Sequence, residues 1–290
     1  MKLSRFIVAL ASLFPLFANA IIVGLPDSTY ISVGKFGDTR ATGPTGTYYS
    51  TAVAISNRWL LTAKHVATGS IYPFGRFMDS RGVEYFVDIA VLDPDPNSDL
   101  ALVRVHGYLI QPAELHTGIV PNGTPVRMLG VGLSGTISGG VVTELVGTFG
   151  PRRIGTNTWD HEQAASVNFG GGLIQNGPWR WMDFDDGTAT GNSLSVVGSS
   201  PTPTAIEATF GGGDSGGPTF VQVGTGWKVC GIHSFRGSLS GGPSPPQFGS
   251  LCFDRPIAAR IAWIQQTIAE DPSGITQPES PSTIGGKRKG

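Results

Sequence analysis

Apolar residues along the chain fall in short runs, bounded again and again by Gly, Pro, Asn and Asp. Thr51–Ile55, Trp59–Ala63, Tyr85–Leu92, Leu100–Val105, Val126–Val131, Val141–Gly147, Ser193–Val197, Thr219–Val223 and Trp227–Phe235 each read as a strand. Short strands spaced by turn signals predict a sandwich or a barrel. The period changes only near the end. Ile257, Ile261, Ile264 and Ile268 fall at i, i+4, i+7 and i+11, one helical stripe. That stripe predicts a helix over 256–269, with Pro256 in its first turn and Asp254 as its cap. Arg152–Thr204 is polar and Gly-rich and is expected to be loop-heavy. No internal repeat is found.

Composition narrows the classes. Gly contributes 42 and Pro 21 of 290 residues, which argues against a helical bundle. Lys+Arg number 20 against 21 Asp+Glu, a balance that lacks the basic excess of a nucleic-acid binder. An apolar share of 40% is too high for a disordered chain. An all-β protein remains.

The two ends read differently from the body. Lys2 and Arg5 precede an apolar run from Phe6 to Phe17, and Ala18-Asn19-Ala20 has the small-x-small form of a signal-peptidase site. Residues 1–20 are therefore expected to direct export, with a mature chain starting at Ile21. Residues 271–290 are rich in Pro, Ser, Gly and Thr and are expected to be a solvated tail. The body, 21–270, is one unit with halves of about 21–120 and 121–255. Cys230 and Cys252 are the only cysteines. Export permits a disulfide, but two buried free thiols fit as well.

The densest chemistry lies in Gly211-Gly212-Gly213-Asp214-Ser215-Gly216-Gly217-Pro218. A serine hydroxyl becomes a nucleophile only when a base takes its proton. The reaction also needs N–H groups aimed at the oxygen that turns negative, and glycines permit such a turn. A base and an orienting acid are present elsewhere. His65 follows an apolar run in Leu60-Leu61-Thr62-Ala63-Lys64-His65, and Asp99 precedes one in Asp99-Leu100-Ala101-Leu102. The order His, Asp, Ser is that of the chymotrypsin type of triad.

On these residues the sequence resembles the trypsin/chymotrypsin-like serine peptidases. Thr62-Ala63-Lys64-His65, Asp99-Leu100-Ala101-Leu102 and Gly213 to Pro218 match that family's T-A-A-H, D-I-A-L and G-D-S-G-G-P patterns. Gly130-Val131-Gly132 resembles the Gly-Trp-Gly that opens its second barrel, and Ile261 to Ile268 resembles its last helix. The resemblance implies two six-stranded antiparallel barrels with a C-terminal helix. It also implies a catalytic triad of His65, Asp99 and Ser215, with an oxyanion hole from the N–H groups of Gly213 and Ser215. Neither a metal nor an organic cofactor is implied. Expected partners are protein or peptide substrates, with no nucleic acid, no stable membrane association and a monomeric state. A non-catalytic binding protein on the same scaffold is the alternative.

There are departures. Lys64 stands where the family has a second Ala, and Val66 where it has a Cys. Lys64 is expected to face solvent. The segment Ile21-Ile22-Val23-Gly24 resembles the family's Ile-Val-Gly-Gly start, whose freed amine pairs with the Asp before the nucleophile, here Asp214. Activation by signal removal and an incidental apolar strand both fit it. By resemblance the primary pocket involves Thr209, His233, Ser234 and Arg236. His233 suggests an acidic preference of the glutamyl endopeptidase kind, while Phe210 narrows the space. Asp183, Asp185 and Asp186 are expected in a solvated turn. Gly130-x-Gly132-x-x-Gly135 lacks the βαβ unit of a dinucleotide fingerprint, and Asp93-x-Asp95-x-Asn97-x-Asp99 lacks the Gly and Glu of a calcium loop.

Overall fold

The computed structural model describes residues 21–38, 48–68, 75–145, 149–163, 167–168, 174–175, 177–238 and 247–271. Residues 1–20, expected to direct export, and all but the first residue of the tail 271–290 lie outside them.

Six strands close the first barrel, in the order Val33–Asp38, Tyr48–Ala54, Trp59–Ala63, Leu100–Val105, Glu84–Leu92 and Gly75–Met78. All neighbours are antiparallel. Closure comes where Phe36 sits opposite Phe77. At that seam Gly34 is required, because a Cβ there would lie 2.3 Å from the Met78 carbonyl oxygen. Trp59–Ala63 and Leu100–Val105 are buried along their whole length, which explains why they read as unbroken apolar runs. They pair from Trp59↔Arg104 to Ala63↔Leu100. This register brings the residue after one strand, Lys64, beside the residue before the other, Asp99.

The second half is a sheet in the order Leu25–Pro26, Arg153–Trp159, Thr124–Gly130, Pro218–Val223, Gly226–Gly237, Leu251–Pro256, Trp179–Asp183 and His161–Gln163. A side chain draws its inner six strands into a ring. Asn157 Nδ2, on Arg153–Trp159, donates to the Asp183 carbonyl at 2.8 Å and to that of Ala208 at 3.1 Å. Trp159, Met128, Met182, Phe210, Cys230 and Cys252 fill the interior. Trp159 reaches across it, and a Cβ on Gly231 would lie 2.6 Å from its ring. The architecture is thus the expected double barrel.

Three expectations need correction. Arg152–Thr204 contains three strands of the second sheet, Arg153–Trp159, His161–Gln163 and Trp179–Asp183. Their Thr, Asn and Arg side chains broke the apolar signal. Ser193–Val197 is a 3-10 turn whose Leu194 N–H donates to Asp183 Oδ2 at 2.8 Å. The last helix starts later than predicted. Asp254 and Pro256 end a buried strand, Ala258–Arg260 is a 3-10 turn, and the α-helix is Ile261–Ala269. Ile257 and Ile264 nevertheless face inward, and they join the first barrel's core rather than the second's. The helix thus ties the chain's end back to its first half. Among the described residues no helix is long and apolar enough to cross a membrane.

Candidate active site

The turn Lys64–Ala67 leaves the buried Trp59–Ala63 strand at the cleft between the barrels. Two backbone contacts fix His65 against Asp99. Lys64 N–H donates to the Asp99 carbonyl at 3.1 Å, and His65 N–H to Asp99 Oδ1 at 2.9 Å. The other carboxylate oxygen lies 2.8 Å from His65 Nδ1. It also accepts the Ser234 hydroxyl. Burial drives the Asp99 carboxyl up, but the hydrogen bonds from His65 and Ser234 outweigh it and hold the group below its ordinary value. With Nδ1 committed to Asp99, Nε2 is the ring nitrogen available as a base.

Gly211 to Pro218 crosses the cleft floor and is stitched to both barrels. Thr51, from the first, donates its N–H to the Ser215 carbonyl at 3.0 Å and its hydroxyl to the Gly213 carbonyl at 3.0 Å. From the second, Gly216 N–H donates to the His233 carbonyl at 2.8 Å. Gly213 has φ +93° and Gly216 φ +82°, left-handed values that favour glycine. A Cβ on Gly216 would lie 2.0 Å from Thr62 Oγ1. Among the described residues the N–H groups of Gly213 and Ser215 donate to no protein acceptor. They are free to meet an oxyanion.

Ser215 and His65 line one pocket of about 320 Å³, with Gly213, Ser234 and Phe235 around them. The Ser215 hydroxyl lies 3.5 Å from the Ser234 carbonyl, and no hydrogen bond joins it to His65 among the described residues. Such bonds are often long in unliganded sites and tighten with substrate.

Asp214 is fully buried. It accepts N–H bonds from Gly211 at 2.8 Å, Gly132 at 2.9 Å and Ile21 at 3.2 Å. In the full chain the Ile21 nitrogen is the amide that joins Ala20. Burial outweighs these bonds and pushes the carboxyl up to about 7. Ile21 and Ile22 are themselves buried, and Ile22 pairs with Thr209. Ile21 has φ +43° and Val23 φ +72°, strained values for β-branched residues. The sequence-predicted pair of Ile21 and Asp214 is therefore brought together. Gly132 belongs to the same cradle, since a Cβ there would lie 2.7 Å from Asp214 Oδ1.

The predicted pocket residues fare unequally. Thr209 is wholly buried, its hydroxyl 3.0 Å from Cys252 Sγ, and it does not line the pocket. Phe210 takes that place and stacks on the His233 ring at 4.1 Å. His233 bonds Thr219 Oγ1 through Nε2 at 3.2 Å, and burial pushes its pKa down to about 3. It is a neutral wall. Arg236 is the cation of the pocket. It donates to the Phe210 carbonyl and lies 3.2 Å from Glu144 Oε1. Glu144, missed in the sequence, also accepts Gly212 N–H at 2.9 Å. Ser234 lines the pocket, but its hydroxyl serves Asp99.

Other readings also change. Lys64 Nζ turns to the carbonyls of Asp93 and Asp95, not to solvent. Asp183 and Asp185 are buried and only Asp186 is exposed, so the expected solvated turn is absent. Cys230 and Cys252 are buried free thiols, and burial pushes Cys252 up to about 12.

A protein-family model described as Trypsin matches residues 35–171. Comparison with curated proteins gives no match. The matched segment carries His65 and Asp99 and ends before Ser215, which the second barrel presents. The match spans just under half of the chain, and together with the double barrel it supports a trypsin/chymotrypsin-like serine peptidase.

Proposed function

We propose that the chain is an exported serine endopeptidase that works through an acyl-enzyme intermediate. Ser215 attacks the scissile carbonyl, and His65 Nε2 takes the hydroxyl proton and returns it to the leaving amine. Asp99 holds the imidazole by its Nδ1 side and stabilises its charged form. The N–H groups of Gly213 and Ser215 receive the oxyanion. Water then repeats the sequence on the acyl-enzyme. The observation that carries this reading is the 2.8 Å contact between His65 Nδ1 and Asp99, with His65, Gly213 and Ser215 lining one pocket.

Activation follows from the buried Asp214. Cleavage after Ala20 would turn the Ile21 amide into a charged amine beside the carboxylate. Arg236 is the cation for an acidic substrate side chain, which would have to displace the carboxylate of Glu144 from it. The neutral His233 contributes shape rather than charge. The test is a set of peptides that differ only before the cut, with wild type and Ser215→Ala side by side. Cleavage by wild type alone, fastest after Glu or Asp, supports the reading. Equal cleavage by Ser215→Ala removes the mechanism, and faster cleavage after Phe or Leu removes the acidic preference.

A further inference from the structure

Asp99 is delivered by an irregular segment, Asp93-Pro94-Asp95-Pro96-Asn97-Ser98, between the strands Glu84–Leu92 and Leu100–Val105. Three carboxylates within seven residues repel one another. The local turn bonds, Asp95 N–H to Asp93 Oδ1 at 3.0 Å and Asn97 N–H to Asp95 Oδ1 at 2.9 Å, are weak restraints.

Three cations from three other elements close on this segment. Lys64, beside the base, donates to the carbonyls of Asp93 at 2.9 Å and Asp95 at 3.3 Å. Arg260, from the 3-10 turn before the last helix, grips the Asp93 carboxylate through two nitrogens, Nε at 2.6 Å from Oδ2. It also approaches Asp95 at 3.5 Å. Arg255, on Leu251–Pro256, donates to the Asn97 carbonyl and, at 2.6 Å, to that of Pro178. Its guanidinium lies 3.7 Å over the Trp179 ring. Arg255 is 2% exposed, yet it lines the same hollow as Lys64, His65, Asp99 and Ser234. Burial lowers its pKa to about 10, and Asp99, Asp95 and Asp93 oppose that fall.

We propose that Arg255, assisted by Lys64 and Arg260, is a positioning residue that pins the 93–99 segment so that Asp99 meets His65. It also sets a fixed positive charge beside the Asp99–His65 pair. The inference rests on the triad reading and goes beyond it, because none of the three cations touches the reacting atoms. The charged groups around the imidazole are Asp99 in front, Lys64 on its own turn, Arg255 across one hollow and Arg236 across the other.

Geometry and charge separate experimentally. Arg255→Met removes both. Its kcat should fall ~10–100-fold with KM within ~2-fold, as for lost positioning. The pH of half-maximal kcat/KM should rise, because a fixed cation beside the Asp99–His65 pair is gone. Arg255→Lys keeps the charge but cannot bridge two carbonyls as a planar fork does. It should keep the wild-type midpoint with a lowered kcat. Lys64→Met should raise the midpoint in the same direction. If Arg255→Met does not fold, the Lys variants carry the test. A wild-type kcat in Arg255→Lys together with an unmoved midpoint in Lys64→Met overturns the proposal. A folded Arg255→Met with wild-type kcat and midpoint does so too. Labelling of Ser215 by a fluorophosphonate separates the two levels. Wild type that labels, with variants that behave as wild type, removes this inference alone, whereas wild type that does not label removes the triad reading.

Discussion

Adding one residue before Ile21 tests the buried Asp214 most sharply. The perturbation compares a chain that starts at Ile21 with one that starts Met-Ile21. In the extended chain the nitrogen 3.2 Å from Asp214 Oδ2 stays an uncharged amide. The Asp214 carboxyl, ordinarily at 3.8, is then pushed up to about 7 by burial. A rise of that size is worth ~4 kcal/mol. The sign follows from linkage. Below pH 4 the carboxyl is protonated in both folded and unfolded chains. As pH climbs towards 7 only the unfolded chain ionises, so the extended form loses stability and then stays penalised. A free amine at Ile21 supplies the missing charge, and the pair lasts until pH passes the raised pKa of the amine. At pH 8 the extended chain should therefore be less stable. Its kcat/KM should drop by up to ~10³-fold, the equivalent of ~4 kcal/mol. Near pH 5.5 the gap should narrow. The assay is kcat/KM and melting temperature for both chains from pH 5 to 9. Identical profiles would refute the role of the pair.

Other outcomes follow from buried groups and tight contacts. Asp160, Asp183 and Asp185 are buried and clustered with the half-buried Glu207; burial raises all four, with repulsion adding to it at Asp160, Asp185 and Glu207, and takes Asp185 to about 8 and Glu207 to about 7. Acids raised in the fold stabilise it least at high pH, so the melting temperature should decline from pH 5 to 9. Asp185→Asn should flatten that slope, and an unchanged slope would count against the cluster. Gly216→Ala puts a Cβ 2.0 Å from Thr62 Oγ1 at φ +82°. It should cost ~2–3 kcal/mol in urea unfolding and most of the activity, and a wild-type midpoint would contradict the contact. Cys230 and Cys252 should both be unreactive towards a thiol reagent in the folded chain and react together on unfolding. An intact mass that reduction leaves unchanged agrees with this, and a mass that gains two hydrogens on reduction, the mark of a disulfide, does not.

The sequence was legible where one physical demand dominated. Trp59–Ala63 and Leu100–Val105 are buried on both faces, so their apolar runs mark the strands to the residue. The Gly-rich serine turn was legible because left-handed φ and close approach leave no alternative to glycine at Gly213 and Gly216. Strands whose pleat mixes polar partners were hidden. Arg153–Trp159 alternates buried and half-buried positions with Thr and Asn, and Asn157 faces inward because it closes the ring through its amide. Pro256 misled for a related reason. It ends an edge of pairing at Gly231 rather than opening a helix. The roles of Ser234, Glu144 and Arg255 arise from contacts over 68 or more positions, which no local pattern encodes.

The central claim is that His65, held by Asp99, makes Ser215 nucleophilic. Stoichiometric labelling by a fluorophosphonate, located by peptide mass, tests it most directly. The account predicts one adduct per chain, on Ser215, lost in His65→Ala and in Ser215→Ala. An unlabelled wild-type chain of proven fold, or an adduct that persists in His65→Ala at the same rate, would contradict it.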